Sequence, residues 1–394
     1  MTRTPGGFLG AAVTVAAMIF GAERLLSQNI ESALPQVARA PAGNAPSQSR
    51  VALGRLLFWD PILSGANDVA CATCHHPRFG YAENRDLSIG ATGIGLGDRR
   101  HFAQGSSMPV VKRNSPTILN VAFAGSDEAG NHSPSTAPMF WDNRVRSLET
   151  QALEPLKSLE EMRGRAHSEN TAVAAAVARL NAVAEYQRLF TGAYGGEQAV
   201  TADHLGKALA AFQRSLVANN APFDRYRRGE TDAMTDAQLR GMRRFERIGC
   251  IRCHTGPMFS DYKLHVLGVP DNPKLTVSDS GAEKTYAFRT ASLRNLEFTA
   301  PYMHSGVFQT LSDVLEFYDD VRGRGRGRNQ NQFSRARNPN VNREQLDPLL
   351  RQLRGVNERD EDLIAFLGAL SDGSYDRTIP TKVPSGLQVG GRIQ

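Results

Sequence analysis

Cysteine, tryptophan and lysine are scarce in this chain of 394 residues, which has four cysteines, two tryptophans and seven lysines among its 46 cationic residues. The length predicts two to three domains and excludes a peptide scaffold or a single small module. Apolar residues make up 41% and charged residues 22%, with a mean hydropathy of −0.36. This composition excludes a disordered chain and a polytopic membrane protein, so we expect a chain that is mostly folded and soluble.

The net charge is +6 and the isoelectric point is near 9.2. No base-stacking or groove-reading motif accompanies this positive charge, so we expect no nucleic acid partner. An acidic protein partner and a coding preference for arginine remain as explanations of the charge.

The first 22 residues combine one arginine with about fifteen apolar or small residues that end at Ala22. This run has the length of a signal-peptide core and is shorter than the ~20 residues of a membrane span. We therefore expect export to the periplasm, with 1–22 as the signal and 23–49 as a linker. An uncleaved membrane anchor is the alternative, because Phe20 departs from the Ala-x-Ala cleavage pattern.

No segment of the sequence alternates apolar and polar residues as a sustained strand would. Helical spacing of apolar residues instead predicts amphipathic helices over 171–190 and 202–217. Thr235 and Gln238 form a capping-box pattern that opens another helix. We expect a mainly α fold with few or no strands.

All four cysteines lie in two C-x-x-C-H motifs, CATCH at 71–75 and CIRCH at 250–254. This is the attachment signature of c-type haem, in which one helical turn places two thiols under the vinyl groups and the next residue brings an imidazole to the iron. Two disulfides, a thioredoxin-like motif or one zinc site shared by both pairs are alternatives, but none explains the histidine after each pair. We predict two covalent haem c groups. Their ligands are Cys71, Cys74 and the proximal His75 for the first, and Cys250, Cys253 and the proximal His254 for the second.

A helix precedes each haem motif, which predicts two cytochrome c-like haem domains related by internal duplication. The predicted segments are an N-terminal haem domain at 50–168, a helical segment packing between or onto the haem domains at 169–232, a C-terminal haem domain at 233–372 and a tail at 373–394.

The function of each haem depends on the sixth coordination position of its iron. A haem whose iron has two strong protein ligands only carries electrons, whereas a haem with an open sixth position binds peroxide or oxygen.

Three more segments carry a resemblance to a known family: RNSPTILNVAF (113–123), FWDNRVRSLETQALEPL (140–156) and LRNLEFTAPYMHSGVFQTL (293–311). Together with the haem motifs they resemble the bacterial dihaem cytochrome c peroxidases, which include the MauG-type enzymes, over roughly residues 50–372. The resemblance implies that the N-terminal haem reacts with hydrogen peroxide, that the C-terminal haem stores electrons, and that Trp141 lies between them.

Gln151, Pro155 and Glu161 follow Trp141 at the spacing of the family's distal pocket, so the resemblance implies that they form the catalytic site. A carboxylate there also fits the chemistry, because cleavage of peroxide needs a base that takes a proton and returns it to the leaving oxygen. From the residues alone, Glu160 and Glu161 would be a solvated pair at a helix start. The spacing favours the distal role for Glu161.

The resemblance also implies a calcium ion between the haems, bound by Asn114, Thr299 and Pro301, whose oxygens suit a hard cation. Without the resemblance, Asn114 would be interpreted as a turn residue, and Thr299 and Pro301 as part of a loop that ends a helix. His304 matches a family histidine near the C-terminal haem, and its alternative is a hydrogen-bonded structural residue.

Two departures within the family bear on the chemistry. Other peroxidases carry a removable distal histidine in the loop after the first haem motif, whereas the SIGATG stretch here has Ala91, which predicts a first haem that is open without prior reduction. Fourteen residues after His304, where some members have methionine, this chain has Tyr318, as MauG-type members do. A phenolate ligand there would stabilise oxidised iron. The alternative is that Tyr318 packs in the core and that Met303 or Met258 is the ligand.

These features predict an enzyme that activates hydrogen peroxide and, in the MauG-like manner, oxidises a partner protein. The first alternative reduces peroxide to water with electrons from a small cytochrome or copper protein. The second alternative is a non-catalytic dihaem protein that only carries electrons. The basic, glycine-rich segment 322–342 is predicted to be a mobile solvated loop, or else a docking surface for an acidic partner.

Overall fold

A computed structural model of the chain describes Met1, residues 32–321 and residues 337–394. Residues 2–22 of the predicted leader at 1–22 and most of the basic segment 322–342 lie outside the described residues. Leu34, in the predicted linker, is buried. Within the described ranges no helix is long and apolar enough to cross a membrane.

Helices dominate the described part of the chain, as predicted. The α-helices are α1 (Gln48–Trp59), α2 (Cys71–Cys74), α3 (Leu148–Gln151), α4 (Glu169–Asn181), α5 (Ala184–Tyr194), α6 (Ala202–Ser215), α7 (Pro222–Arg227), α8 (Asp236–Ile248), α9 (Leu311–Val321) and α10 (Glu361–Gly368). The single helix predicted over 171–190 is wrong, because α4 ends at Asn181 and α5 begins at Ala184.

The strands are six two-residue segments that form three antiparallel ribbons in the described residues. The ribbons are β1 (Gly93–Ile94) with β2 (His101–Phe102), β3 (Pro138–Met139) with β4 (Val145–Arg146), and β5 (Leu264–His265) with β6 (Phe288–Arg289). In the third ribbon Leu264 pairs with Arg289 and His265 with Phe288. The expectation of few strands is confirmed.

Helix α8 begins where its capping pattern predicts. The Thr235 hydroxyl accepts a hydrogen bond from the Gln238 N–H at 3.3 Å, and the Gln238 side chain accepts one from the Thr235 N–H at 2.9 Å. The apolar face of α8 packs against α10, where a Cβ on Gly241 would lie 1.8 Å from the Asp362 carbonyl oxygen. Only glycine allows this close crossing.

A matching crossing occurs in the other half of the chain. Helix α1 packs against α6, and a Cβ on Gly54 would lie 2.0 Å from the Ala208 carbonyl oxygen. Each helix that precedes a haem motif is therefore held against a second helix at a glycine.

Two large apolar cores lie beside these crossings. The N-terminal core joins α1, α4, α5 and α6 and also buries Tyr375 and Val383 from the C-terminal tail. The C-terminal core joins α7, α8 and α10 around four phenylalanines, Phe223, Phe245, Phe259 and Phe366. The segment 169–232 thus contributes to both cores.

Candidate active site

The first haem motif lines a cavity of about 430 Å³, called the first cavity below. Helix α2 is one turn long and presents Cys71 and Cys74 to it, with His75 directly after. The His75 Nδ1–H donates to the Tyr81 carbonyl oxygen at 3.1 Å, which leaves Nε2 with a free electron pair. Burial lowers the pKa of His75 to about 4. A neutral imidazole oriented by a backbone carbonyl is the usual state of a metal-binding histidine.

The second haem motif repeats this arrangement around a cavity of about 230 Å³, the second cavity. Cys250, Cys253 and His254 line it, and the His254 Nδ1–H donates to the Phe259 carbonyl oxygen at 2.9 Å. Burial lowers the pKa of His254. Both acceptor carbonyls belong to residues with a left-handed backbone, Tyr81 at φ 55° and Phe259 at φ 51°.

These donor sets fit haem c and not the alternatives. The two cysteine pairs lie on different cavities, which excludes a zinc site shared by both, and no cysteine is in a disulfide. Burial raises the pKa of Cys71 and of Cys250 to about 12, so these thiols are protonated rather than poised as thiolates. Two thiols and a free imidazole nitrogen on each cavity are the groups that covalent haem requires.

A cluster of Cys253, Asp261 and His265 also has the spacing of a metal site. Both ring nitrogens of His265 are already taken, however, by Asp347 at 2.6 Å and by Asp261 at 3.0 Å. The two carboxylates raise the pKa of His265. The His265 imidazole is therefore an ion-paired side chain with no free electron pair for a metal.

The candidate distal residues meet on the first cavity. Gln151 at the end of α3, Pro155 and Glu161 all line it together with Cys71 and His75. Glu161 lies in one π-helical turn, Leu159–Arg163. Burial and the neighbouring carboxylate of Glu160, which lines the same cavity, raise the pKa of Glu161 to about 7.

The loop around Ala91 packs directly against the turn that carries Glu161. A Cβ on Gly90 would lie 2.3 Å from the carbonyl oxygens of Glu160 and Glu161, and the Ala91 N–H donates to the Glu160 carbonyl at 3.2 Å. The buried Arg100 holds this loop by donating to the carbonyls of Ile89, Gly90 and Gly95. No motif or periodicity in the sequence indicates this role of Arg100.

Trp141 lies in the wall between the two cavities and lines both. Its Nε1–H donates to the Asn114 carbonyl oxygen at 2.9 Å, and its ring meets His304 edge-on at 6.4 Å. His304 stacks on Phe288 at 3.5 Å, and its buried Nε2 has no hydrogen-bond partner among the described residues. Burial lowers the pKa of His304 to about 3, so its ring is neutral.

The three candidate calcium ligands also border the second cavity, and Asn114 borders the first as well. Asn114, Thr299 and Pro301 all line the second cavity. The Asn114 amide nitrogen donates to the carbonyls of Arg85 at 2.9 Å and Asp86 at 3.2 Å, which turns its NH₂ away and leaves Oδ1 as an acceptor.

Tyr318 on α9 lines the second cavity, and so does Met303. Burial raises the pKa of Tyr318. Its ring also packs against Phe317 at 5.6 Å. Met258 lines the first cavity instead, so it is not a candidate ligand for the second haem.

Arg289 is a site residue that sequence reasoning missed. It lies on β6 and lines both cavities, as Trp141 does. A lone arginine in a two-residue strand gives no periodic signal, so its position emerges only from the fold.

Two cavities, each with a C-x-x-C-H motif and separated by a tryptophan, define a dihaem c-type protein. The family model described as di-haem cytochrome c peroxidase matches residues 48–232. The chain is 34% identical over 289 residues to the methylamine utilization protein MauG of Methylorubrum extorquens, covering 72% of each chain. It is 32% identical over 374 residues to cytochrome-c peroxidase IdrP1 of Pseudomonas sp. (strain SCT), covering 86% of this chain and 84% of the relative.

A crystal structure of a MauG-like protein associated with microbial copper homeostasis matches with a TM-score of 0.67 and 26% identity, over 86% of this chain and 95% of that one. The chain belongs to the di-haem cytochrome c peroxidase family, and its similarity to MauG supports the MauG-like branch. It is a haem peroxidase-type oxidoreductase, and the family implies haem c as its cofactor.

Proposed function

We propose that this protein is a periplasmic enzyme that activates hydrogen peroxide at the first cavity, shares the oxidising equivalents with the second, and oxidises a partner protein. The observation that carries the proposal is the grouping of Gln151, Pro155 and Glu161 around the cavity that contains Cys71 and His75. The periplasmic location is inferred from the predicted signal at 1–22.

The bound haems would supply iron that coordinates peroxide and exchanges electrons. Glu161 is the group that moves the proton: with a pKa of about 7, much of its carboxyl group is ionised at neutral pH. It accepts a proton from one peroxide oxygen and returns it to the other, which leaves as water. The Gln151 amide is a hydrogen-bond donor that orients peroxide, and Pro155 adds an apolar surface without an N–H.

The second cavity has the residues for storing oxidising equivalents. We propose that Tyr318 is the distal ligand of the C-terminal haem and that Trp141, which lines both cavities, carries electrons between them. The Asn114 side-chain oxygen and the carbonyls of Thr299 and Pro301 would bind one calcium ion beside that tryptophan. The repeated glycine crossings at α1 and α8 and the repeated histidine hydrogen bonds support an internal duplication of the haem domains.

An ordinary cytochrome c peroxidase, which reduces peroxide to water with electrons from a small cytochrome or copper protein, is the second candidate. The chain is similar both to a relative named MauG and to a relative named cytochrome-c peroxidase. Tyr318 favours the MauG-like type, whereas Met303 on the same cavity is the ligand that the second candidate requires. A non-catalytic electron carrier would leave Gln151 and Glu161 without a function.

The test adds one equivalent of hydrogen peroxide to the oxidised holoprotein, with and without a reduced small cytochrome, and follows the optical spectrum. We expect a spectral change that persists after peroxide is consumed, with no need for prior reduction. Glu161→Gln keeps the shape but removes the base, so the reaction should slow by roughly 10²–10⁴. Glu154→Gln is the matched control, because Glu154 pairs with Lys157 outside the cavity.

The alternatives give different results. A parent protein that reacts only after reduction, and that consumes peroxide only with the cytochrome, would be an ordinary peroxidase. Equal rates for Glu161→Gln and Glu154→Gln would remove Glu161 from the mechanism.

A further inference from the structure

Arg289 occupies an unusual place in the wall between the cavities. Its backbone N–H donates to the Trp141 carbonyl oxygen at 2.7 Å, and its strand is paired with Leu264, so its position is fixed from two sides. The residues that line both cavities are Asn114, Pro116, Thr117, Trp141, Arg289, Ala291 and Ser292. Arg289 is the charged member of this set.

The guanidinium of Arg289 uses little of its hydrogen-bonding capacity on the protein. Of its five N–H donors, one on Nη1 binds the Pro138 carbonyl at 2.9 Å, while the buried Nε has no partner among the described residues. The Tyr262 ring lies 5.5 Å away. Among the described residues no carboxylate lies within ion-pair distance of it.

Two arginines of the N-terminal half, Arg113 and Arg100, are satisfied in ways that Arg289 is not. Arg113 bonds both Asp279 and Asp142, at 2.5 and 2.7 Å. Arg100 bonds backbone carbonyls through all three of its nitrogens. A charge withdrawn from water without an ion-pair partner is unfavourable, and burial lowers the pKa of Arg289, an effect that Asp142 opposes only at longer range. An anion that the polypeptide does not supply is therefore expected beside Arg289.

We infer that Arg289 binds propionate carboxylates of both haems and so serves as their shared counter-ion. Thioether attachment uses the vinyl groups and leaves the two propionates of each haem free. A guanidinium presents two donor edges that match carboxylates, so one side chain that borders both cavities has the capacity for one carboxylate from each. The inference rests on the proposed function only in requiring two bound haems.

A shared counter-ion links the two redox centres electrostatically. A positive charge near a haem stabilises its reduced form, because reduction adds an electron. Removing the charge should therefore lower the midpoint potentials of both haems together. A counter-ion that served one haem would change only that haem's potential.

The test is a spectroelectrochemical titration of the holoprotein at fixed pH for four variants. We expect Arg289→Gln to lower both midpoints, with at least a tenfold change in the oxidised-to-reduced ratio of each haem, which is 59 mV for a one-electron couple. Arg289→Lys keeps the charge and should retain most of both potentials. The controls are Arg144→Gln, which changes an arginine on the first cavity alone, and Arg252→Gln, which changes one on the second alone. Each should leave the other haem's midpoint unchanged.

A second measurement covers the case in which Arg289→Gln does not accumulate as holoprotein. In Arg289→Lys, the propionate bending modes of both haems should shift in the resonance Raman spectrum. The shared counter-ion is refuted if Arg289→Gln lowers the midpoint of one haem only or of neither. It is equally refuted if the propionate bands of Arg289→Lys shift for one haem only or for neither. Haem staining of the denatured parent protein tests the premise separately: fewer than two covalent haems per chain would contradict the dihaem assignment, whatever Arg289 does.

Discussion

The proton that Glu161 carries makes the proposed reaction depend on pH. Burial and the carboxylate of Glu160 raise its pKa to about 7, so the basic form is lost as the pH falls through that value. We predict that the rate of the peroxide reaction rises with pH up to about 7 and then levels off. Glu160→Gln removes one cause of the raised pKa, so its inflection should lie at lower pH in a stopped-flow profile. An inflection that does not move would mean that another group titrates.

In the proposed function, the type of chemistry depends on whether Tyr318 binds the C-terminal haem. If its phenolate binds the C-terminal haem, Tyr318→Phe should change the oxidised spectrum of that haem, and Tyr318→Met should raise its potential and abolish the long-lived product of peroxide addition. Tyr302→Phe is the control, because the Tyr302 hydroxyl, on the same cavity, already donates to the Leu296 carbonyl at 3.0 Å. A Tyr318→Phe spectrum identical to that of the parent would return the ligand role to Met303.

At the scale of elements, the glycine crossings hold the helices that precede the two haem motifs against their neighbours. Gly241→Ala would drive a Cβ into the Asp362 carbonyl of α10, and we expect it to lower the free energy of unfolding by about 1–3 kcal/mol, as overpacking does. A Cβ on Gly192 in α5 would have no atom within 4 Å. Gly192→Ala should therefore leave the free energy of unfolding unchanged or raise it by up to about 1 kcal/mol. Chemical denaturation of both holoprotein variants measures the difference. Similar values for the two would mean that α8 and α10 can separate at no cost.

The elements also show which features a sequence encodes locally. The haem motifs and the capping box at Thr235 are local patterns, so their structures could be predicted directly. The separation of α4 from α5 and the contact of Gly90 with Glu161 depend on tertiary packing. The periodicity of apolar residues does not predict such contacts. That Gln151 and Glu161 would line the same cavity could be predicted only from the resemblance to a family.

At the scale of the whole molecule, the two halves share the wall that separates the cavities. Trp141 follows β3 in the N-terminal half, whereas Arg289 and His304 come from the C-terminal half. The bond from the Arg289 N–H to the Trp141 carbonyl joins them. Because each cavity is completed by residues from the other half, neither haem site would be complete in an isolated domain.

The C-terminal tail extends this interdependence. Although the sequence places it after the C-terminal haem domain, its long-range hydrogen bonds are with the N-terminal half. The Thr73 hydroxyl, within the first haem motif, donates to the Gly390 carbonyl at 3.0 Å. The Ser385 hydroxyl donates to the buried Asp60 at 2.7 Å, and Tyr375 and Val383 are buried in the N-terminal core.

We therefore predict that deletion of 373–394 destabilises the N-terminal half selectively. Loss of two buried side chains and of the bonds to Thr73 and Asp60 should lower its unfolding free energy by more than about 3 kcal/mol. Haem attachment at Cys71 and Cys74 should fall while attachment at Cys250 and Cys253 persists. Peptide mass spectrometry of each motif measures this, with the double substitution Ser385→Ala and Tyr375→Phe as a milder version, since it removes two tail hydroxyls and little apolar contact. Equal loss of haem from both motifs would show that the tail stabilises the molecule as a whole and not the first haem site.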